Sequence, residues 1–248
     1  MTCAFGAAMI VLVMILKIVS ASQRRAPDFW LTLLLSVDSM RRVRPANRSL
    51  VLSALARCVS SVVGFAAVWL ACWQVVKCTG ASGIWLGWLG APMVWLMGEA
   101  LGDLTRVTLL PTGRLMPHPH SNVFASRSVA DFWGRRWNVW MSDWFRQIVF
   151  HPLHQHPVFA VILVFVLSGI VHELVINLVL WLLTGRNLLG SMMAYFGLQA
   201  AGLLAERAWL AGHPRLKRFF AWLVVIGPAP LIVNEGMLRA LQLWPEGP

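Results

Sequence analysis

The sequence predicts an all-α protein: a polytopic transmembrane helix bundle of about six spans, with one amphipathic helix lying in the membrane interface. Three observations predict it. Of 248 residues, 58% are hydrophobic and 12% charged, with a mean hydropathy of +0.67; soluble domains carry about a quarter charged residues. Several apolar runs approach or exceed the roughly 18 residues that cross a bilayer. The basic residues gather between those runs, in alternating amounts. No polar linker divides the chain, so residues 1–248 read as a single integral membrane domain.

The spans fall at about 3–20, 58–76, 84–102, 158–183, 189–206 and 219–241. Between the first two lie Arg24, Arg25, Arg41, Arg42, Arg44, Arg48 and Arg57, whereas 77–83 carries only Lys77. Segment 103–157 carries Arg106, Arg114, Arg127, Arg135, Arg136 and Arg146; 184–188 has Arg186 alone; 207–218 brings Arg207, Arg215, Lys217 and Arg218. Rich and poor segments alternate as the positive-inside rule requires of a bundle with both termini outside, which puts 103–157 on the cytoplasmic side. The same distribution accounts for the net charge of +11 and sets aside a nucleic-acid partner. No Lys or Arg precedes the first span and Lys17 and Arg24 follow, the pattern of a retained helix rather than a signal peptide.

Within the spans, Gly197 and Ala201, with Gly202 beside them, predict close helix packing, and Pro228 and Pro230 predict a kink in span six. Cys3, Cys58, Cys72 and Cys78 show no metal spacing, and Cys58 and Cys72 read as small buried thiols.

The segment "SVADFWGRRWNVWMSDWFRQIVF", 128–150, has helical periodicity but is too polar to span. Ser128 and Asp131 resemble a capping box. At 100° per residue, Trp133, Trp137, Trp140, Trp144 and Ile148 share one face, while Asp131, Arg135, Asn138, Ser142 and Arg146 gather opposite. That predicts an interfacial anchor helix. Asn138, at the edge of the polar face, can point toward whatever the bundle encloses.

In "VFAVILVFVLSGIVHELVINLVL", 158–180, His172 lies within a residue or two of mid-span with Glu173 beside it. An ionisable group there costs at least about 2.5–3.5 kcal/mol and faces a bundle interior or wet cavity. Burial favours the neutral imidazole, which can accept a proton from a hydroxyl. Ser168 and Gly169 would open space beside the ring, and Glu173, 100° around, would pair with a neighbouring helix. A structural contact, a proton or ion relay, and catalysis all fit these residues. A zinc protease motif does not, because "HELVI" puts Ile176 where the second ligand should stand. His118, His120, His151, His154 and His156, in "MPHPH" and "HPLHQHP", read as interfacial loop residues rather than a metal set.

Together, "DFWGRRWN" (131–138) and, some thirty residues later, "LSGIVHEL" (167–174) resemble the membrane-bound O-acyltransferase family, and most closely its wax synthase-like branch, over roughly residues 84–210. The resemblance implies acyl-CoA-dependent esterification of a long-chain or other lipophilic alcohol within the membrane. By motif, His172 is the general base and Asn138 the assisting asparagine. Arg135, Arg136 and Trp137 become candidates for contact with acyl-CoA, the arginines with its phosphates; anchoring to anionic lipid headgroups serves the arginines equally well. The implied partners are acyl-CoA, a lipophilic alcohol and membrane lipids; acyl-CoA is a co-substrate, and no cofactor or metal is called for. The setting is the cytoplasmic membrane of a bacterium or the endoplasmic reticulum of a eukaryote. The reading from a different class is a non-catalytic membrane protein, either a transporter-like relay or a degenerate homologue.

Overall fold

The computed structural model describes residues 3–4, 6–8, 11, 44–80 and 83–244. The predicted first span lies largely outside them. The described chain is all-α apart from one antiparallel bridge, in which Arg44 pairs with Leu115 and Pro45 with Arg114.

Helix α1 (Arg48–Thr79) begins where Asn47 Oδ1 accepts the Leu50 amide at 2.9 Å, and it ends at Gly80 with φ of 60°. Asparagine caps and left-handed glycine stops are the expected chemistry at the two ends. Its apolar side chains stay exposed, Val59 at 63% and Val63 at 60%, which suits lipid contact rather than a soluble core. Helix α2 (Leu86–Thr108) packs along α1 and carries Glu99, Asp103 and Arg106 in buried positions.

The segment after α2 departs from the predicted continuous amphipathic helix. It opens as α3 (Val129–Asp131), with Ser128 Oγ accepting the Asp131 amide at 2.9 Å, and runs into a π turn (Phe132–Arg136). There it breaks. Trp137 is extended and Asn138 left-handed at φ of 40°, a conformation asparagine tolerates better than most residues. Helix α4 (Val139–Phe145) then starts in a new direction and passes into a second π turn (Arg146–Phe150). The tryptophan stripe faces protein, not the bilayer: Trp144 is buried, Trp133 packs against Phe165 and Phe196, and Trp140 Nε1 donates to the Pro117 carbonyl.

The predicted fourth span is α5 (Pro157–His172), a π turn (Glu173–Asn177) and α6 (Leu178–Thr184) in one run. Among the described residues, α1 and this run are the helices long and apolar enough to cross a membrane. Helix α7 (Ser191–Trp209) packs against α5 through Val161, Phe165, Phe196, Ala200 and Leu203. Residue 169 opens no space beside His172, contrary to expectation: a Cβ on Gly169 would lie 2.5 Å from Met193 Sδ, so this glycine admits α7. Likewise, the tight contact expected of Gly197 and Ala201 occurs at Gly202, where a Cβ would lie 2.5 Å from Val224 Cγ1 of α8 (Pro214–Ile226).

Span six is not a kinked helix. Helix α8 stops at Ile226, and after Gly227 and Pro228 come the short α9 (Ala229–Ile232) and α10 (Glu235–Ala240). Two prolines so close remove donors that a through-going helix needs, which ends the helix instead of bending it.

Candidate active site

Helices α2, α5, α7 and α8 and the broken segment 128–150 surround a largely apolar cavity of about 930 Å³. Phe132, Trp133, Trp137, Trp144 and Phe196 supply much of its wall, and His172 and Asn138 both line it. Two residues that the sequence placed on separate elements thus share one chamber.

His172 is the last residue of α5, where the helix widens into the π turn; such bulges recur at functional sites. Its Nδ1 lies 2.7 Å from the Ser168 carbonyl one turn back. A carbonyl only accepts, so Nδ1 carries the hydrogen and the Nε2 lone pair is left for the cavity. The ring packs on Phe196 at 4.8 Å between centroids, which limits its rotation.

Asn138 caps α4, its Oδ1 accepting the Met141 amide at 3.3 Å. That bond decides the orientation of the amide: the oxygen faces the helix end, which leaves the Nδ2 hydrogens as the uncommitted donors of a residue that lines the cavity. The break at Trp137 and Asn138 brings Asn138 to the cavity; a continuous helix would have left it on the polar flank.

Glu173 turns away from this chemistry. Its Oε1 accepts the amides of Gly190, Met192 and Met193 at 2.9, 2.8 and 3.1 Å, capping the start of α7. Its Oε2 accepts from Asn177 Nδ2 at 2.8 Å. Asn177 Oδ1 and Ser191 Oγ both accept from Asn234 Nδ2 at 2.9 Å, so the pair next to His172 ties α5, α7 and α10 together. A carboxylate among amides at a helix N-terminus has its lone pairs met and the favourable end of the helix dipole.

The arginines differ from each other. Arg136 Nε donates to Asp131 Oδ2 at 2.7 Å and its Nη1 to the Asn122 carbonyl at 3.0 Å, so it holds the turn together. Burial works against the Asp131 charge, but Arg136 and the Arg127 amide outweigh it and hold the carboxyl below its ordinary range. Arg135 is exposed. Arg207 and Lys217 line the cavity, which the sequence reading did not anticipate. Beside Arg207, Glu206 Oε2 accepts the Val129 amide at 2.6 Å and fixes the start of α3.

His118 and His120 lie in a loop, as expected, but each meets a buried carboxylate of α2. His118 Nδ1 is 3.0 Å from Asp103 Oδ1, and His120 Nδ1 is 3.3 Å from Glu99 Oε1. Ligand atoms of Glu99, Asp103 and His118 lie within 4.8 Å of one another. The two carboxylates are already matched by Arg57 at 2.9 Å and Arg106 at 3.1 Å, the composition of an ion-pair network rather than a cation cage. A repeat of glycine followed by an acid, Gly98–Glu99 and Gly102–Asp103, was the sequence signal for it.

Residues 116–196, which hold both motifs, match the Membrane bound O-acyl transferase family. The resemblance stands: the stretch that carries both motifs is similar to membrane-bound O-acyltransferases of the wax synthase-like kind, and that likeness implies a membrane protein. Among curated proteins, the probable long-chain-alcohol O-fatty-acyltransferase 7 of Arabidopsis thaliana is 32% identical over 127 residues, 46% of this chain. The match spans 36% of that relative's length.

Proposed function

We propose that the chain is an acyl-CoA-dependent O-acyltransferase that esterifies a long-chain or other lipophilic alcohol within the membrane. The observation that carries this reading is His172, its Nδ1 engaged by the Ser168 carbonyl at 2.7 Å, in the wall of an apolar chamber that Asn138 also lines. An apolar pocket with few polar groups suits a lipid substrate whose reacting end alone needs recognition.

In the proposed reaction the alcohol hydroxyl gives its proton to His172 Nε2 as its oxygen attacks the thioester carbonyl. Asn138 Nδ2–H donates to the carbonyl oxygen as it gains charge. The carbon–sulfur bond then breaks, and the proton held by His172 passes to the departing CoA sulfur. Trp137 lines the chamber beside Asn138 and is a candidate for contact with the acyl-CoA. For the CoA phosphates, Arg207 and Lys217 join Arg135 as candidates, while the bonds of Arg136 to Asp131 and Asn122 favour a structural task. The multi-pass arrangement with 103–157 on the cytoplasmic side, where acyl-CoA is found, is supported by the alternating basic segments and by the two apolar helices, α1 and the α5–α6 run, long enough to cross.

The test is incubation of membranes carrying the protein with labelled acyl-CoA and a panel of alcohols, with esters read by mass. His172→Ala abolishes ester formation at an unchanged protein level. Equal ester yield from that variant would remove His172 from the reaction and return it to the relay or packing readings.

A further inference from the structure

Residues 116–120, "MPHPH", lie between α2 and the break at Trp137 and Asn138, and the chemistry above does not use them. On one side they occupy a groove that α2 opens for them. A Cβ on Gly98 would sit 2.7 Å from His120 Cε1, and one on Gly102 would overlap Pro119 Cγ. Both approaches are closer than packed atoms allow, so glycine at each position lets the loop lie on the helix. The acid that follows each glycine meets a histidine of the loop, Glu99 with His120 at 3.3 Å and Asp103 with His118 at 3.0 Å. Arg106 Nε, donating to the Met116 carbonyl at 2.7 Å, secures the loop's start.

On its other side the loop grips the break. The Ser121 amide donates to the Arg136 carbonyl at 2.9 Å and the Val139 amide to the Pro119 carbonyl at 2.7 Å. These two bonds bracket Trp137 and Asn138. The His120 ring packs on Trp137 at 4.6 Å between centroids, and Trp140 Nε1 donates to the Pro117 carbonyl at 3.1 Å. Groups flanking a break between helices have no partners within a helix, so their placement has to come from elsewhere in the fold.

We infer that His120, keyed into Gly98 and Glu99 of α2, is a positioning residue for Asn138, with His118 on Gly102–Asp103 as its support. The inference rests on reading Asn138 as a group at the reacting centre. The loop converts the rigid surface of α2 into a fixed angle at the Trp137–Asn138 break, and through it into the direction of the Asn138 donors.

The test pairs amide hydrogen exchange of the purified chain in detergent, read by mass spectrometry, with ester formation. His120→Ala speeds exchange in residues 137–142 and leaves α5 and α7 as they were. It lowers kcat roughly ten- to a hundredfold, the scale of an ångström-sized misplacement, with the acyl-CoA KM within about twofold. Gly98→Ala, which displaces the ring without altering it, produces the same pattern more weakly. The double variant is no worse than His120→Ala alone, because the two changes remove one contact. Unchanged exchange at 137–142 overturns the inference, as does a rise spread over the whole chain or strict additivity in the double variant. Exchange is independent of catalysis: a wild-type chain that forms no ester would overturn the proposed reaction, while the exchange pattern still decides the role of His120.

Discussion

The carboxylate of Glu173 accepts the Met192 amide at 2.8 Å, so the residue next to the candidate base is the cap of the neighbouring helix. The adjacent pair in "VHEL" thereby divides its labour. His172 looks into the chamber and Glu173 fastens the wall behind it.

Loss of that cap is expected to cost stability before chemistry. Glu173→Ala leaves the amides of Gly190, Met192 and Met193 without their shared acceptor, while Asn177 Nδ2 keeps the Leu188 carbonyl and Ser191 Oγ. Burying unmatched donors costs about 1–3 kcal/mol each when water cannot reach them. A drop in thermal midpoint in detergent, well beyond that of His172→Ala, checks this. Equal midpoints would mean that α7 does not depend on the cap.

Asn138 caps α4, and a pair of substitutions separates that role from the proposed one in the reaction. Asp keeps an oxygen for the Met141 amide but lacks the Nδ2 donors, whereas Ala loses both. Asn138→Asp should therefore hold the thermal midpoint near wild type while ester formation falls roughly a hundredfold, the scale of one lost oxyanion donor. Asn138→Ala should lose activity and also about 1 kcal/mol of stability with the cap. Full activity in the Asp variant would leave Asn138 a cap alone.

Much of this was legible in the chain, for local reasons. The Ser128 cap, the helix through 158–183 and the motif pair are patterns within a few residues of one another. The break at 137–138 was not legible, because tryptophans three and four apart satisfy helical periodicity whether or not the helix continues. The Glu173 cap joins residues 17 to 20 apart through backbone amides, which leave no mark in the side-chain pattern. The groove on α2 did leave one, in Gly98–Glu99 and Gly102–Asp103, but a reading of 84–102 as a plain span passes over polar residues at its end.

Packing at the two α7 glycines is expected to differ sharply. Gly202→Ala drives a Cβ to 2.5 Å from Val224 Cγ1, whereas Gly197 has nothing within 4 Å. Overpacking at the first costs about 1–3 kcal/mol, and Gly197→Ala should be neutral or slightly stabilising through helix propensity. Thermal midpoints of the two variants, measured side by side, check the ordering; a reversed order would contradict the α7–α8 contact.

The Asp131–Arg136 pair predicts a pH dependence with a definite sign. The folded carboxyl sits below its ordinary range, so its stabilisation is fully present above the unfolded value of about 3.9 and fades as pH falls through the lower folded value. Asp131→Asn should lower the thermal midpoint at pH 7 and lose that deficit on going to acid. A deficit that persists unchanged at low pH would assign the effect to packing.

Helix α1 is 32 residues long. At 1.5 Å per residue it measures about 48 Å, against a hydrocarbon layer of about 30 Å. Set in a bilayer, it must lean or stand proud at one end. Arg57, ten residues into the helix, settles which end, since it meets Glu99 at 2.9 Å and cannot sink into lipid tails with that charge. On that placement the turns from Arg48 to Arg57 stand above the oil, and the Arg57–Glu99 pair, beside the His118–His120 loop, lies at the waterline.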